Sequence, residues 1–397
     1  MKHIRLLLFV PILSLALSCA FQICGQATSV VTTGLMGPSK ITIAGQTHLL
    51  VAETGTAMPN SSRISLVNRE TGERQTLINN LPSGFNQVEM APSGISGLKL
   101  SGLKLYVTIG QGDSAIPGPQ GGVIANPLPA TPFNNSVLEL TLPADYEYLT
   151  SDFTLSRRFQ RTLTEGATAV LHNTDGQTLG VRVVANLPDF RPETRPGLPP
   201  DNVRPANLYG IERAGANLYV VDASFNQLYR VNPVTGEFAT FSVFPPRPNP
   251  LPFGPPVVEA VPDSIRLFGN RLLVTHLSGF PFPQDFTEAR AVNLATGMHQ
   301  TFISGLTSAI DILPVPVAGG ASSFYVLEFS ANMLAQPTTA PGRLKIFVPG
   351  SAGLTSTTLV SDLISPTSMA RDPETGDLFI TEIFTGRIIR YDVPEGN

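Results

Sequence analysis

A five-residue strand pattern recurs along this chain at a nearly constant spacing. Each copy is an apolar run, and most copies end in a polar residue. The copies begin at Leu49, Leu105, Leu218, Leu272, Phe324 and Leu378. Four of the gaps between copies are 52 to 56 residues long, and the remaining gap is 113 residues. A repeat of this length is one supersecondary unit that buries its apolar faces against its neighbours.

A second pattern, a strand that runs into a turn, gives the same number of repeats. It occurs at 30–35, 76–81, 183–187, 301–306 and 359–363, with a looser copy at 241–244. No copy falls in the middle of the long gap, so the extra residues there are insertions. Each repeat has room for four antiparallel strands, a to d. The chain is therefore predicted to be all-β, a six-bladed β-propeller.

The two ends of the chain predict how the ring closes. Residues 29–33 form a d-type strand with no earlier strands, and residues 387–393 form a c-type strand with no later one. The first strand can complete the last blade, which leaves no unpaired sheet edge at the seam. We expect a single propeller domain over residues 28–397.

The first 27 residues have the features of an export signal. Lys2 and Arg5 precede an apolar run over 6–17, which is too short to span a bilayer. Small residues end at Ala27, where we predict cleavage. The protein is then secreted or periplasmic, and the alternative is a lipoprotein attached through Cys19. No later stretch is apolar for long enough to predict a transmembrane segment.

Charge and composition narrow the choice of partners. The net charge is −4, and only 14% of the residues are charged. An acidic exported protein is a poor candidate for binding nucleic acid. We expect a monomer whose partner is a small molecule or another exported protein.

The insertions lie mainly on one predicted face. Because neighbouring strands alternate in direction, the b–c and d–a loops share one face, here called the top face. The long loops of these two types are 54–62, 110–135, 188–206, 245–261, 277–287 and 329–341. Insertions on one face of a repeat array are typical of a binding face. A further insertion over 143–180 connects c to d and is predicted on the opposite face.

The last residue of each strand b is predicted to lie at the top of its blade. These residues are Glu53, Ile109, Asp222, His276, Glu328 and Glu382. A ring of Glu53, Asp222, Glu328 and Glu382 has the oxygen ligands that calcium prefers. The alternative is that each acid caps its own b–c turn by accepting backbone hydrogen bonds. Calcium in such a ring would polarise an ester or lactone carbonyl.

Further candidates for ligand binding come from the top-face loops. His276 ends strand b of blade 4, and the loop after it carries Phe280 and Phe282. Asn207 and Asp263 belong to d–a loops near the mouth of the central channel. We expect His276 to face the carboxylates of the ring, which would raise its pKa. The alternatives are a structural histidine, and phenylalanines that pack onto the blades.

Several stretches resemble the ScyD/ScyE family of exported propeller-like proteins. They are 105–110, 207–211, 241–246, 277–283 and 307–312, of which the Gly-Phe-Pro-Phe-Pro run at 279–283 is the most specific. The family is similar to six-bladed propellers of the NHL and SMP-30/gluconolactonase type. The resemblance implies this fold and export, without a settled reaction. Leu208 and the insertion over 143–180 depart from the expected pattern.

These observations lead to one main hypothesis and two alternatives. The main one is a non-enzymatic propeller that binds a small molecule, a sugar or a partner protein through its top face. The first alternative is a divalent-metal-dependent lactonase or esterase of the SMP-30 type, with calcium as the candidate metal. The second is a quinone-dependent sugar dehydrogenase with His276 as base. Fold alone does not choose among them.

Overall fold

Six blades, each built on four antiparallel strands, form the architecture, as predicted for a six-bladed β-propeller. The computed structural model describes residues 28–193, 199–316, 320, 322–351 and 353–394. The predicted signal peptide and both cysteines lie outside these residues. Within them, no helix has the length and apolar composition needed to cross a bilayer.

Each blade is given from its innermost strand to its outermost one. Blade 1 contains Pro38–Ala44, His48–Glu53, Ser62–Asn68 and Arg74–Leu81, and blade 2 contains Ile95–Ser101, Lys104–Ile109, Ser136–Thr141 and Thr178–Asn186. Blade 3 contains Leu208–Ala214, Asn217–Asp222, Gln227–Val231 and Phe238–Val243, and blade 4 contains Pro262–Phe268, Arg271–His276, Thr287–Asn293 and His299–Leu306. Blade 5 contains Ala309–Pro316, Ser322–Glu328, Gly342–Gly350 and Gly353–Leu363, and blade 6 contains Pro366–Arg371, Leu378–Glu382, Arg387–Tyr391 and Thr28–Thr32.

The ring closes as the sequence predicts. Thr28–Thr32 pairs antiparallel with Arg387–Tyr391, with Thr28 opposite Tyr391. The N-terminal strand is thus the outermost strand of the last blade. This pairing joins the two ends of the chain by main-chain hydrogen bonds, and it leaves no open sheet edge at the seam.

The apolar core is divided among the interfaces between neighbouring blades. Leu49 and Val51 of blade 1 pack with Phe379 and Ile388 of blade 6 in one cluster. Equivalent clusters occur at the other interfaces. Alternate residues of a strand point to opposite faces of the sheet. Because each blade lies between two neighbours, one set of side chains packs against one neighbour and the other set packs against the other.

Short hairpins build up the top face. They lie in the d–a and b–c loops, between the strands of the blades. Their paired strands are Gly84–Asn86 with Ala91–Ser93, Ala115–Pro117 with Val123–Ala125, Phe190–Pro192 with Val203–Pro205, and Arg247–Pro248 with Val257–Val258. Three of the six loops predicted to be long, 110–135, 188–206 and 245–261, therefore contain paired strands of their own. The hairpin at 84–93 lies in a loop that was not predicted to be long.

The insertion over 143–180 joins the outer edges of two blades. Phe153–Thr154 adds a parallel strand to the outer edge of blade 1. Ala169–His172 adds an antiparallel strand to the outer edge of blade 2. A 3-10 helix at Tyr146–Tyr148 precedes these strands, and the α-helix Arg157–Thr164 connects them. The insertion therefore covers two sheet edges, a role that its sequence did not indicate.

Candidate functional site

The innermost strands surround the axis, and each has a β-bulge near its top end. The register shift falls between the first and third or fourth residues of the strand in every blade. A bulge redirects the side chains next to it. The second and third residues of these strands therefore have equivalent places around the axis, and their side chains can be compared blade by blade.

Three blades use the second residue of this strand to bond to the next blade. The hydroxyl of Ser39 donates to the carbonyl of Ile95, 2.8 Å away. Ser96 donates to the carbonyl of Leu208 at 2.7 Å. Thr367 of blade 6 likewise donates to a carbonyl of blade 1, over 2.8 Å. We call these contacts inter-blade bonds. Blades 3, 4 and 5 have Tyr209, Asp263 and Ile310 at this position.

Third-position side chains form a buried network across the axis. Lys40 of blade 1 extends to blade 4 on the opposite side of the ring, where its Nζ donates to Ser264 Oγ at 2.9 Å. The same Nζ lies 3.6 Å from Asp311 Oδ2. Lys40 and Asp311 are 3% and 0% exposed. Lys40 therefore crosses the channel at this level.

Asp311 is the centre of this network, and both of its oxygens are satisfied. Arg266 binds it with two nitrogens, at 3.1 and 2.6 Å. Ser264 and Ser368 donate hydroxyls to it, and Met369 donates a backbone N–H at 3.0 Å. Burial alone would raise the pKa of Asp311, but the two cations and the hydrogen bonds hold the pKa below its usual value. Asp311 is thus an ionised anchor of the fold.

Asp263 is also buried, but its hydrogen bonding differs from that of Asp311. Its side chain is 3% exposed, and its Oδ1 has no hydrogen-bond partner. Burial raises the pKa of Asp263 well above its usual value, with Lys40 opposing the rise and Asp311 adding to it. A buried carboxyl oxygen without a partner costs free energy unless something binds it. Asp263 therefore has the capacity to receive a ligand.

The backbone next to Asp263 is strained. Val261 has a φ of 48°, a left-handed conformation that is unusual for a β-branched residue. Blades 1, 5 and 6 have Gly37, Ser308 and Ser365 with positive φ close to the same place. Such a conformation costs on the order of 1–3 kcal/mol and is common at binding sites. The side chain of Asn226 holds it by accepting the N–H of Val261 at 2.8 Å.

Two further side chains of this region are accessible to solvent. Tyr209 is partly exposed, and Glu89, in the hairpin between blades 1 and 2, is exposed. Burial raises the pKa of Tyr209 well above its usual value, and Asp263, Asp311 and Glu89 raise it further. Burial by the surrounding protein also raises the pKa of Glu89, although its side chain keeps access to solvent. We call Glu89, Tyr209, Asp263 and Lys40 the axial site.

The predicted carboxylate ring divides into separate ion pairs. Glu53, Glu328 and Glu382 each lie opposite an arginine on strand c of the same blade. The pairs are Glu53 with Arg63, Glu328 with Arg343, and Glu382 with Arg387. Each glutamate also accepts a backbone N–H from the d–a loop. Among the described residues, no three His, Cys, Asp or Glu side chains are grouped so as to hold a metal ion.

Asp222 has the same place in blade 3 without the arginine. Gln227 stands opposite it, and Asp222 Oδ1 accepts the N–H groups of Asn207 and Phe225 at 3.2 and 2.9 Å. Its Oδ2 is buried without a partner. Burial raises the pKa of Asp222 to about 6, against the lowering effect of these backbone bonds. Asp222 therefore caps its turn, which is the alternative interpretation given above.

His276 differs from the expectation in two respects. It is 4% exposed and packs edge-on against Phe244, with 4.9 Å between ring centres. Its pKa is lowered well below the usual value by burial, with Arg290, Arg247 and His299 adding to the effect. The prediction of a raised pKa was wrong, because cations and aromatic carbon surround the ring where carboxylates were expected. The four acids of the predicted ring bond within their own blades instead.

A small cavity of about 10 Å³ lies beside His276, close to the size of one water molecule. His276 Nε2 and Ser278 Oγ line it, and neither has a hydrogen-bond partner. The rest of the loop lies on the top face. Phe280 is 51% exposed and contacts Phe253 and Phe282, with ring centres 6.4 and 6.1 Å apart.

Asn207 links two blades at the mouth of the channel. Its Oδ1 accepts the N–H of Gln111 at 3.2 Å, and its own N–H is bound by Asp222. Of the predicted ligand residues, Asp263 alone belongs to the axial network. Lys40, Tyr209, Glu89 and Asp311 were not predicted. For Lys40, Tyr209 and Asp311, the available signal was a charged or aromatic residue near the start of an innermost strand in several repeats. Glu89 lies in a hairpin between blades and had no such signal.

No protein-family model matches the sequence, and no curated protein matches it. Solved structures show a distant likeness to the chain.

Three of these structures illustrate the likeness. An auxiliary nutrient binding protein from Bacteroides thetaiotaomicron is 13% identical, with a TM-score of 0.46 over 91% of this chain and 70% of that chain. A putative oxidoreductase (glucose dehydrogenase) from Thermus thermophilus is 15% identical, with a TM-score of 0.46 over 92% of this chain and 99% of that chain. The aldose sugar dehydrogenase from Streptomyces coelicolor is 15% identical, with a TM-score of 0.46 over 93% and 98%. Likeness at this level carries no argument about function.

Proposed function

We propose that this chain is an exported binding propeller that takes up a small molecule at the axial site. The observation that carries the proposal is the unpartnered Oδ1 of Asp263, buried beside the partly exposed Tyr209. Lys40 interacts electrostatically with Asp263, and Glu89 does so with Tyr209. We also propose membership of the ScyD/ScyE family, cleavage after Ala27, and a monomeric state.

The contacts favour binding over calcium-dependent hydrolysis. In that alternative, the strand-b acids must be free to hold the metal. Glu53, Glu328 and Glu382 are already engaged by arginines, and Lys345 also binds Glu328 at 3.0 Å. The calcium site stays a prediction. Elemental analysis of the purified mature protein tests it, and stoichiometric calcium would favour the hydrolase.

A ligand screen tests the binding proposal directly. The mature protein is incubated with sugars, polyols, amino acids and organic acids at millimolar concentration, and thermal shifts and calorimetry report binding. We expect at least one compound to bind, and Asp263→Ala to weaken that binding by about tenfold or more. Thr367→Val is the matched control, because it removes an inter-blade bond in blade 6 without touching the axial site. Equal binding by wild type and Asp263→Ala would overturn the proposal.

A further inference from the structure

We propose that the ligand of the axial site is an uncharged molecule bearing several hydroxyl groups, such as a sugar or a polyol. This inference rests on the proposed function, and it adds the chemical class of the ligand. It follows from the hydrogen-bonding capacity and the charges of the residues that line the site.

The first step is the hydrogen bond that Asp263 lacks. If Asp263 is ionised, its free Oδ1 requires a donor from the ligand. If Asp263 is protonated, the same group can donate and requires an acceptor. A hydroxyl group is both donor and acceptor, so it satisfies Asp263 in either state. The phenol of Tyr209 has the same dual capacity and suits a second hydroxyl of the ligand.

The second step is the distribution of charge. Lys40 interacts electrostatically with Asp263, and its Nζ lies 2.9 Å from Oγ of Ser264, the next residue in the chain. A cationic ligand beside Asp263 would meet Lys40. An anionic ligand would meet Asp311 and Glu89 as well as Asp263 itself. Like charges at such short range are costly when shielded from water. An uncharged ligand avoids both costs.

The third step is that the protein does not fill the site with its own hydroxyl groups. Blades 6, 1 and 2 place Thr367, Ser39 and Ser96 at the second position, and each bonds to the next blade. Asp263 has the equivalent position in blade 4, but among the described residues its side chain makes no such bond to the next blade. A ligand hydroxyl would therefore supply at Asp263 the type of group that the chain itself supplies in blades 6, 1 and 2.

Matched ligands test the chemical class by calorimetry on the mature chain. D-glucose and myo-inositol are uncharged, D-glucosamine is cationic, and D-glucuronate is anionic. Maltotetraose distinguishes the end of a longer glycan from a free monosaccharide. We expect uncharged members to bind, singly or as the glycan end, and charged analogues to bind at least about tenfold more weakly. We expect Tyr209→Phe to weaken binding about threefold or more, and Asp263→Asn to weaken it less than Asp263→Ala.

The outcomes separate this inference from the proposed function. Tighter, Asp263-dependent binding of glucosamine or glucuronate would overturn the ligand class and keep the axial site. Binding of some other screened compound that is lost in Asp263→Ala, with no uncharged polyol or sugar bound, would do the same. Binding of any compound that is unchanged in Asp263→Ala would overturn the site itself. Circular dichroism and urea unfolding of each variant confirm that it is folded.

Discussion

Blades 3 and 4 differ from blades 1 and 6 at equivalent positions. At the second residue of the innermost strand, blades 1 and 6 have hydroxyls that make inter-blade bonds, whereas blades 3 and 4 have Tyr209 and Asp263. At the end of strand b, blades 1 and 6 have glutamates paired with arginines. Blades 3 and 4 have Asp222 and His276 there, each with a buried polar atom that lacks a partner.

This comparison separates the polar residues whose bonds stabilise the ring from those with buried polar atoms that have no partner. At these two positions, blades 1 and 6 use their polar groups in inter-blade bonds and in ion pairs within a blade. At the same positions, blades 3 and 4 leave buried polar atoms of Asp222, Asp263 and His276 without a partner. Unsatisfied buried groups in a folded protein call for an explanation, and ligand binding is one. Four predictions test this contrast.

The largest expected effect is the loss of an arginine in blade 6. Arg387→Ala leaves the fully buried carboxyl group of Glu382 without its arginine partner. We expect the free energy of unfolding to fall by about 3–5 kcal/mol. Urea unfolding measures it. Gln227→Ala in blade 3 is the matched control, and we expect it to cost less than about 1 kcal/mol. Equal losses would show that the two blades do not differ in this way.

Next in size is the pH dependence that Asp222 confers. Its pKa is about 6 in the folded protein and has a reference value of 3.8. Between these values the folded chain holds a proton that the unfolded chain has released, so stability falls as pH rises through this window. The full loss is about 3 kcal/mol. Asp222→Asn should remove it, as seen by urea unfolding at about pH 4 and about pH 7. Gln227→Arg should reduce the loss by giving Asp222 the partner found in blade 6.

An unchanged pH profile in Asp222→Asn would contradict the raised pKa. A profile that changes in Asp222→Asn and not in Gln227→Arg would show that the arginine is not what distinguishes the blades.

The architecture could be predicted from the sequence because each repeat supplies the same evidence again. Six copies of a strand pattern, together with the unmatched strands at the two ends, predicted the blades and the pairing of Thr28–Thr32 with the last one. The insertion over 143–180 had no such redundancy. Its short strands pair with outer edges of different blades, and nothing local in the sequence indicates which edges are free.

The site was harder to predict for a related reason. The end of strand b was correctly located, but the arginines that pair with Glu53 and Glu382 lie on another strand. Cross-strand register decides such pairs, and a shift of one residue would place these arginines on the other face of the sheet. The network of Lys40 and Asp311 joins residues more than half the chain apart. Asp263 was predicted as part of a top-face loop. Lys40, Tyr209 and Asp311 belong to other blades and come near Asp263 only when the ring is closed.

A smaller effect is expected from the inter-blade bond of blade 6. Thr367→Val removes the hydroxyl that donates to the carbonyl of Pro38 at 2.8 Å. We expect a loss of about 1 kcal/mol in urea unfolding and no change in ligand affinity. Thr367→Ser keeps the hydroxyl and should restore most of that loss. Weaker ligand binding in Thr367→Val would contradict the separation between the blades that hold the ring and the blades that bind.

The smallest effect at neutral pH is expected from His276→Phe. Phenylalanine keeps the edge-on contact with Phe244, so the change at about pH 7 should be less than about 1 kcal/mol. Below the usual value of 6.5, the unfolded chain gains a proton on His276 that the folded chain does not take up, because the pKa of the buried ring is lowered. Stability therefore falls with falling pH in the wild type, and the variant should lose this part of the fall. His172→Gln, at an exposed position, is the control for removal of a histidine. If the variant keeps the whole acid-side loss of stability, His276 is protonated in the folded state. Blade 4 would then hold a charge at its strand end, as blades 1 and 6 do.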